Sequence, residues 1–178
     1  MTTTEPRVRR AAADEAAAIA ALAARTFPLA CPPTLAPEHI ADFVATHLSE
    51  AEFARHLGDP AHRILVVDGA DGPVGYALVL RGAHEEAPES LRGAPSAYLS
   101  KLYVDPEQHG GGVARALLDA VRADAAGLPL WLGVNADNAR AKRFYAKSGF
   151  VSAGVREFTV GGTTFVDDVL VLAETVGA

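Results

Sequence analysis

The sequence is poor in cysteine: Cys31 is the single cysteine among 178 residues, which excludes a disulfide within the chain. Cys31 stands in the segment Leu-Ala-Cys-Pro-Pro. Because the sequence suggests no histidine partner for it, we expect a small buried residue rather than a nucleophile. Apolar runs long enough for a membrane span or a signal-peptide core are also lacking. These absences favour a reducing, cytoplasmic location.

Basic residues are too few and too scattered for a nucleic-acid partner. Lys and Arg number 16 against 22 Asp and Glu, a formal net charge of −6, whereas a phosphate backbone requires a basic face. The same charge favours a cationic partner. Metal-ligand spacing is missing among the histidines, since His39 and His47 lie two turns apart on a predicted helix and His56 and His62 lie in different elements. No metal site is expected.

Apolar sequence, by contrast, is abundant. A hydrophobic content of 49% with 21% charged residues suffices for a packed core. Neither an internal repeat nor a linker interrupts the chain. Residues 1–178 are therefore predicted to form a single domain.

Hydrophobic periodicity and turn residues predict alternating strands and helices. In order, these are a strand over 7–11; a helix capped by Asp14 and running to Arg25; a helix from Pro37; a short helix from a capping box at Ser49 to Leu57; strands over 63–68, 74–80 and 98–104; a helix carrying Val113, Leu117, Leu118 and Val121; a strand over 128–134; a helix after Asp137; and strands over 150–160 and 163–173. Prolines predict an ordered loop over 27–37, and polar residues predict another over 82–95.

The order of these elements predicts an α/β fold, with one mixed sheet of the α+β kind and helices on both faces. Hairpin turns at 69–73 and at Gly161-Gly162 make most neighbouring strands antiparallel. The helix that connects strands 98–104 and 128–134 makes those two strands parallel neighbours. The expected sheet is thus mostly antiparallel with one parallel pair.

A glycine-rich turn joins strand 98–104 to the helix that follows. Gly110, Gly111 and Gly112 allow tight turning and close approach to backbone N–H groups, which a helix N-terminus offers to anions. The alternative is a plain connection. Arg115 in the first helical turn makes better sense beside a phosphate, although a solvated arginine is the default. The spacing fits neither a P-loop nor a dinucleotide fingerprint.

His109, Gly112 and Ala114 fall on the three defined positions of Gln/Arg-x-x-Gly-x-Gly/Ala, with histidine at the first. The turn therefore resembles the pyrophosphate-binding motif of the GNAT acetyltransferases. A second segment resembles the family's Asn-x-x-Ala-x-x-Phe-Tyr-x-x-x-Gly-Phe signature, at Asn138, Ala141, Phe144, Tyr145, Gly149 and Phe150. The two motifs occur in the family's order, and the clear resemblance covers residues 97–150.

The resemblance implies acetyl-coenzyme A as acyl donor and no metal. Its pantetheine would enter a gap where the two parallel strands splay apart, within a single N-acetyltransferase domain. The residues implied in donor binding are Leu102, Tyr103, Val104, His109, Gly110, Gly111, Gly112, Val113, Ala114, Arg115, Asn138, Phe144 and Tyr145. Backbone donors at 102–104 would hold the acetyl carbonyl. Asn138 would bind the pantetheine amide, cap its helix, or do both.

Tyr145 occupies the position of the family's general acid, with packing beside Phe144 as the alternative. The resemblance implies transfer of an acetyl group to a primary amine of a small molecule, peptide or protein by direct attack. Strand 98–104 contains no carboxylate to act as base, so we expect a water relay or a loop residue, His84, Glu85 or Glu86. The alternative functions are a non-catalytic acyl-coenzyme A sensor and a generic phosphate-binding protein.

The acceptor is expected between the loops 27–37 and 82–95, where Glu85, Glu86 and Glu89 would attract a cation. Asp167 and Asp168 could also bind a cationic acceptor, but solvation on a hairpin strand is the favoured interpretation. Neither a nucleic acid nor a membrane is an expected partner. The oligomeric state stays open, a homodimer included.

Overall fold

The computed structural model describes residues 6–173. Seven strands and five α-helices are found in that range. In chain order they are β1 (Val8–Arg10), α1 (Ala16–Ala30), α2 (Pro37–His47), α3 (Glu50–Gly58), β2 (His62–Gly69), β3 (Gly72–Ala83), β4 (Pro95–Val104), α4 (Val113–Asp124), β5 (Leu130–Asn135), α5 (Ala139–Lys147), β6 (Phe150–Val160) and β7 (Thr163–Leu172). No helix among the described residues is both long and apolar enough to span a membrane.

The strands form one sheet in the order β1-β2-β3-β4-β5-β7-β6. Strand β1 pairs antiparallel with β2, β2 with β3, β5 with β7, and β6 with β7. Strands β4 and β5 are parallel, with Ala97 opposite Leu130 and Tyr98 opposite Trp131. The predicted fold class, a mixed and mostly antiparallel sheet with one parallel pair, is confirmed.

Contacts within the chain divide it into two compact units. The first unit comprises residues 1–80 and 100–126, and the second comprises residues 81–99 and 127–178. In the first unit, α1, α3, β2 and β3 enclose an apolar core that includes Ile19, Leu22, Leu48, Phe53, Val66, Tyr76 and Leu78. In the second unit, buried Ala87, Trp131 and Val169 form a smaller cluster.

Gly75 allows close packing of α4 in the first unit. A Cβ atom on Gly75 would lie 2.8 Å from Cγ1 of Val113 and 3.1 Å from Cδ1 of Leu117. Both of these side chains belong to the apolar face of α4 that the sequence predicts, and both are buried. The glycine on β3 thus makes room for the helix that follows the glycine-rich turn.

The first helix differs from its prediction at both ends. Glu15, rather than Asp14, is the N-terminal flanking residue, and its carboxylate accepts hydrogen bonds from Arg9 Nη2 at 2.6 Å and from the Ala12 N–H at 2.6 Å. The helix also runs to Ala30 instead of Arg25. Pro28 lies in the last turn, so the one N–H bond that it removes and its clash with the preceding turn fall near the end of the helix.

Cys31 follows this longer helix and is half-buried rather than buried. Its Sγ donates a hydrogen bond to the Phe27 carbonyl at 3.4 Å. Burial raises the pKa of the Cys31 thiol. A raised pKa lowers the thiolate fraction, which agrees with the expectation that Cys31 is not a nucleophile.

Candidate functional site

The turn before α4 depends on glycine for its backbone conformation. Gly110 has φ of 84° and Gly112, the N-cap of α4, has φ of 81°, both in the left-handed region. Among residues 6–173, built Cβ atoms would meet nothing within 4 Å at Gly110 and only Pro6 Cγ at 3.9 Å at Gly112. Conformation rather than space therefore selects glycine, and no described residue crowds either position.

The first turn of α4 has backbone donors without partners in the helix. Intrahelical bonding begins with the Ala116 N–H, which donates to the Gly112 carbonyl at 2.9 Å. The N–H groups of residues 113–115 precede it and have no carbonyl within the helix to pair with. Together with the helix dipole, they make the turn suitable for an anion.

Asp105 holds the strand end against the turn. Its carboxylate accepts hydrogen bonds from the Glu107 N–H at 3.3 Å and from Arg25 Nε at 3.0 Å, and its own N–H donates to the Val74 carbonyl at 2.8 Å. The bond from the Arg25 guanidinium lowers the pKa of the Asp105 carboxyl. The carboxylate thus stays ionised at neutral pH and fixes the position where β4 enters the turn.

His109 and Arg115, the two side chains predicted to face a phosphate, have protein partners. His109 Nε2 lies 3.1 Å from the Val104 carbonyl, so that nitrogen must carry the proton. Arg115 Nε lies 3.1 Å from the Asp119 carboxylate, an i,i+4 ion pair. Both side chains are exposed, and an exposed ion pair is weak enough to be exchanged for a ligand.

Residues 102–104 on β4 are only partly buried. The Tyr103 ring stacks on Tyr76 at 5.9 Å between centroids and lies edge-on to Phe27 at 6.3 Å. Its side chain therefore belongs to the aromatic part of the first unit's core. Any role in donor binding at this position falls to the backbone.

The second signature lies on α5 in the second unit. Asn138 is the N-cap, and its Oδ1 accepts a hydrogen bond from the Ala141 N–H at 3.0 Å, so the predicted capping is present. Tyr145 is only 8% exposed and lies between Phe144 and Phe150, at ring-centroid distances of 5.2 and 5.5 Å. Burial raises the pKa of the Tyr145 phenol above its usual range.

An arginine cluster in the second unit, consisting of Arg156, Asp167, Tyr98 and Glu86, was missed by the sequence reasoning. Arg156 Nε and Nη2 donate to Asp167 Oδ2 at 3.1 and 3.0 Å, and Nη2 also donates to Tyr98 Oη at 2.9 Å. Arg156 Nη1 donates to Glu86 Oε2 at 3.1 Å. The sequence feature that could have revealed this cluster is the antiparallel hairpin of β6 and β7, in which Arg156 lies opposite Asp167.

Solvation is the wrong interpretation of Asp167 and Asp168. Asp167 is buried, and burial raises the pKa of its carboxyl although Arg156 opposes the shift. Asp168 Oδ2 forms an ion pair with Lys142 Nζ at 2.6 Å. Arg156 reaches Asp167 across the β6–β7 hairpin, and Lys142 reaches Asp168 from α5, so each carboxylate has a basic partner.

The three glutamates predicted to attract a cationic acceptor lie on the acidic loop, residues 84–94, and are exposed. Glu86 differs from Glu85 and Glu89 because its carboxylate is bonded to Arg156. His84, at the start of the loop, lies edge-on to the rings of Tyr98 and Trp131 at 5.8 and 5.9 Å. Ring contacts of His84 and the ion pair between Glu86 and Arg156 thus hold the acidic loop against the rest of the second unit.

Two histidines from different elements meet in the first unit. His56 Nδ1 on α3 lies 3.0 Å from His62 Nδ1 on β2. Burial, with added repulsion from Arg55 and His62, lowers the pKa of His56 to about 4. Within the described part of the chain, no group of three potential metal ligands is found.

The structure therefore gathers the predicted donor-binding residues into two local sets. Residues 102–104 and 109–115 form a continuous strand, turn and helix in the first unit, and Asn138, Phe144 and Tyr145 lie on α5 in the second.

Comparison with known proteins identifies the family to which this arrangement belongs. The Acetyltransferase (GNAT) domain family matches residues 31–171. An uncharacterized N-acetyltransferase of Mycobacterium tuberculosis (strain ATCC 25618 / H37Rv) is 49% identical over 156 residues, covering 86% of this chain and 94% of the relative. The resemblance inferred from the two motifs is confirmed.

Two solved structures share the fold. A GCN5-related N-acetyltransferase from Rhodopseudomonas palustris has a TM-score of 0.73 at 23% identity, covering 97% of this chain and 98% of its own. The PaiA N-acetyltransferase of Thermoplasma acidophilum, in complex with coenzyme A, has a TM-score of 0.72 at 16% identity, covering 92% and 98%. The chain belongs to the GNAT acetyltransferase family and is an acyltransferase.

Proposed function

We propose that the protein transfers the acetyl group of acetyl-coenzyme A to a primary amine. The observation that carries this proposal is the left-handed glycine turn that opens α4, after which the N–H groups of residues 113–115 have no carbonyl within the helix to pair with. A coenzyme A complex of a protein with the same fold supports the choice of donor. In the reaction, the neutral amine attacks the thioester carbonyl and a C–N bond forms as the C–S bond breaks. The nitrogen loses one proton to become an amide, and the departing thiolate takes up one proton.

For the donor, we propose that the pyrophosphate binds the N–H groups of residues 110 and 112–115, since the Gly111 N–H already donates to the Gln108 carbonyl at 3.1 Å. We also propose that the Arg115 side chain exchanges Asp119 for a phosphate. His109 would keep its bond to the Val104 carbonyl and shape the turn. Backbone donors at 102–104 would polarise the acetyl carbonyl, while Asn138 and Phe144 would contact the pantetheine.

Tyr145 is proposed as the general acid that protonates the thiolate. Burial raises its pKa, so the phenol holds its proton throughout the neutral range and is always in the form that can donate. Its surroundings of aromatic rings exclude water, which strengthens a hydrogen bond from the phenol to an anionic sulfur.

For the acceptor, we propose that the acidic loop contributes to binding, with Glu85 and Glu89 attracting the ammonium form of the amine. The ammonium must lose a proton before attack, either through a water relay or to His84 or Glu85. We further propose that residues 1–178 act as one domain, since the family match crosses both units. The proposed location of the protein is the cytoplasm.

An acceptor screen tests this function. Acetyl-coenzyme A is incubated with polyamines, amino acids, peptides and aminoglycosides, and free thiol release is followed together with the mass of the product. We expect at least one amine to gain an acetyl group in step with thiol release. Tight binding of acetyl-coenzyme A without turnover of any amine would instead indicate a non-catalytic sensor, which the absence of a carboxylate on β4 favours.

A further inference from the structure

The arginine cluster suggests what the acceptor carries besides its amine. We propose that Arg156 binds a carboxylate of the acceptor, which takes the place of the Glu86 carboxylate. The acceptor would then be an amino acid or a short peptide with a free carboxylate. The identification of this ligand as the acetyl acceptor rests on the proposed function. The anion site itself can be tested without turnover.

The guanidinium of Arg156 is held rigidly on two of its edges. Asp167 accepts bonds from Nε and Nη2, and Tyr98 Oη accepts a second bond from Nη2. Asp167 is buried, and the Arg156 side chain is only 23% exposed. A fork that is fixed in this way can bind an oxyanion without a large loss of side-chain entropy.

Strand β5 is shaped to receive this side chain. A Cβ atom on Gly133 would lie 2.6 Å from Arg156 Nη2 and 2.8 Å from its Cζ, so any other residue there would displace the guanidinium. The Tyr98 ring lies on another side, 5.5 Å from Cζ. Nη1 is the remaining nitrogen of the guanidinium, and its hydrogen bond goes to a solvent-exposed partner.

That partner, Glu86, is replaceable. Its side chain is 72% exposed and belongs to a loop, and it makes a single bond to Nη1 at 3.1 Å. Ion pairs with such exposed partners contribute little to stability. A ligand carboxylate in the place of the Glu86 carboxylate leaves the charge in contact with the guanidinium unchanged, and the exposed Glu86 side chain is released to solvent. An amide in the same place would lose the charge-assisted bond.

Titration with a matched pair of small molecules tests the anion site. Propionate and propionamide are added separately to the full chain, and the Nε–H resonance of Arg156 is followed by NMR, with sodium chloride at equal ionic strength as reference. We expect propionate alone to shift this resonance. Glu86→Gln removes the competing carboxylate and should tighten propionate binding roughly two- to fivefold.

Glu157→Gln is the matched control, because Glu157 is an exposed glutamate on the same strand as Arg156, and propionate affinity should not change in it. Equal shifts with propionamide, no shift with propionate, or equal tightening by Glu86→Gln and Glu157→Gln would each overturn the carboxylate site.

A second measurement connects the site to catalysis. For amines that the acceptor screen finds to be acetylated, KM is compared between an amino acid and its C-terminal amide. We expect a KM at least about tenfold lower for the free carboxylate, and Arg156→Lys should remove this preference while leaving acetyl-coenzyme A affinity unchanged. Equal KM values for the two would overturn the inference while leaving the acetyltransferase activity standing. A screen without turnover would refute the proposed function instead, and the propionate titration would still decide the anion site.

Discussion

Tyr145 combines two features that bear on acid catalysis: it is almost fully buried, and burial raises the pKa of its phenol. A phenol that does not ionise near neutral pH should not contribute a titration to the acidic or neutral part of the pH–rate profile. The raised pKa also makes the phenol a weaker acid in the ground state. Proton transfer therefore depends on the thiolate charge that develops as the C–S bond breaks.

Replacing Tyr145 by phenylalanine should lower kcat by about tenfold to a hundredfold, with little change in KM for acetyl-coenzyme A. The ring packing against Phe144 and Phe150 is kept, and only the hydroxyl group that carries the proton is lost. Steady-state kinetics with the best amine measures the effect. Tyr76→Phe is the control, since it makes the same change at another buried tyrosine and should keep the kcat of the wild type. An unaltered kcat in Tyr145→Phe would leave packing as the role of this residue.

Single residues were the hardest features to predict from the sequence. The capping by Asn138 follows from helix chemistry and was predicted. The pairing of Asp167 with Arg156 was not, because it depends on strand register and on the gap left by Gly133. Arg115 likewise forms an ion pair with Asp119, one helical turn away. This ion pair is an alternative reason for an arginine in the first turn of α4, beside a bound phosphate.

At the scale of elements, the contact that the Arg156 side chain of β6 makes with β5 depends on Gly133. Gly133→Ala should lower the free energy of unfolding by about 1–3 kcal/mol, because the added methyl group would overlap the Arg156 guanidinium. Chemical denaturation measures the loss. In an Arg156→Ala background the same substitution should cost much less, since the atoms it meets are gone. Equal losses in both backgrounds would show that the guanidinium does not restrict this position.

The contact between α3 and β2 should make stability depend on pH through His56. Its pKa of about 4 in the folded chain lies below the value of about 6.5 expected in the unfolded chain. The unfolded state therefore binds more protons between these values, and stability is lost as the pH falls from about 6.5 toward 4. Groups near His56 that contribute are Arg55, His62, Lys101 and Glu52.

Thermal unfolding of His56→Gln across this pH range tests the effect. The variant should show a flatter dependence of Tm on pH than the wild type, because the titrating ring has been removed. His39→Gln, which changes a histidine outside the pair on α2, should keep the slope of the wild type. The same slope in His56→Gln and the wild type would contradict this role of the pair.

Most elements were predictable because their periodicity and end signals are local. The capping box at Ser49 is present in part, with Ser49 Oγ accepting from the Glu52 N–H at 3.3 Å, and the apolar face of α4 is buried as predicted. Helix α1 is longer than predicted and includes Pro28 in its last turn, where the bond that the proline removes lies near the end of the helix. The meeting of His56 and His62 could not be predicted, because it depends on how α3 packs against β2.

At the scale of the whole molecule, two short motifs in the right order were sufficient to identify the family. The family match covers residues 31–171 and so extends well beyond the 97–150 segment that carries the motifs. The acceptor is less predictable for a physical reason. The residues that would recognise it lie on a loop and on partners distant in the sequence, as Glu86 and Arg156 show.

Donor binding at the glycine turn is tested most directly by isothermal titration calorimetry of acetyl-coenzyme A against three proteins. Gly112→Asp places a side chain and a negative charge at the N-terminus of α4. Gly127→Asp makes the same change at another left-handed glycine, with φ of 87° and open surroundings. Wild type and Gly127→Asp should bind with similar affinity, and Gly112→Asp should bind at least about tenfold more weakly. An unchanged affinity in folded Gly112→Asp would mean that the pyrophosphate binds elsewhere and would contradict the account.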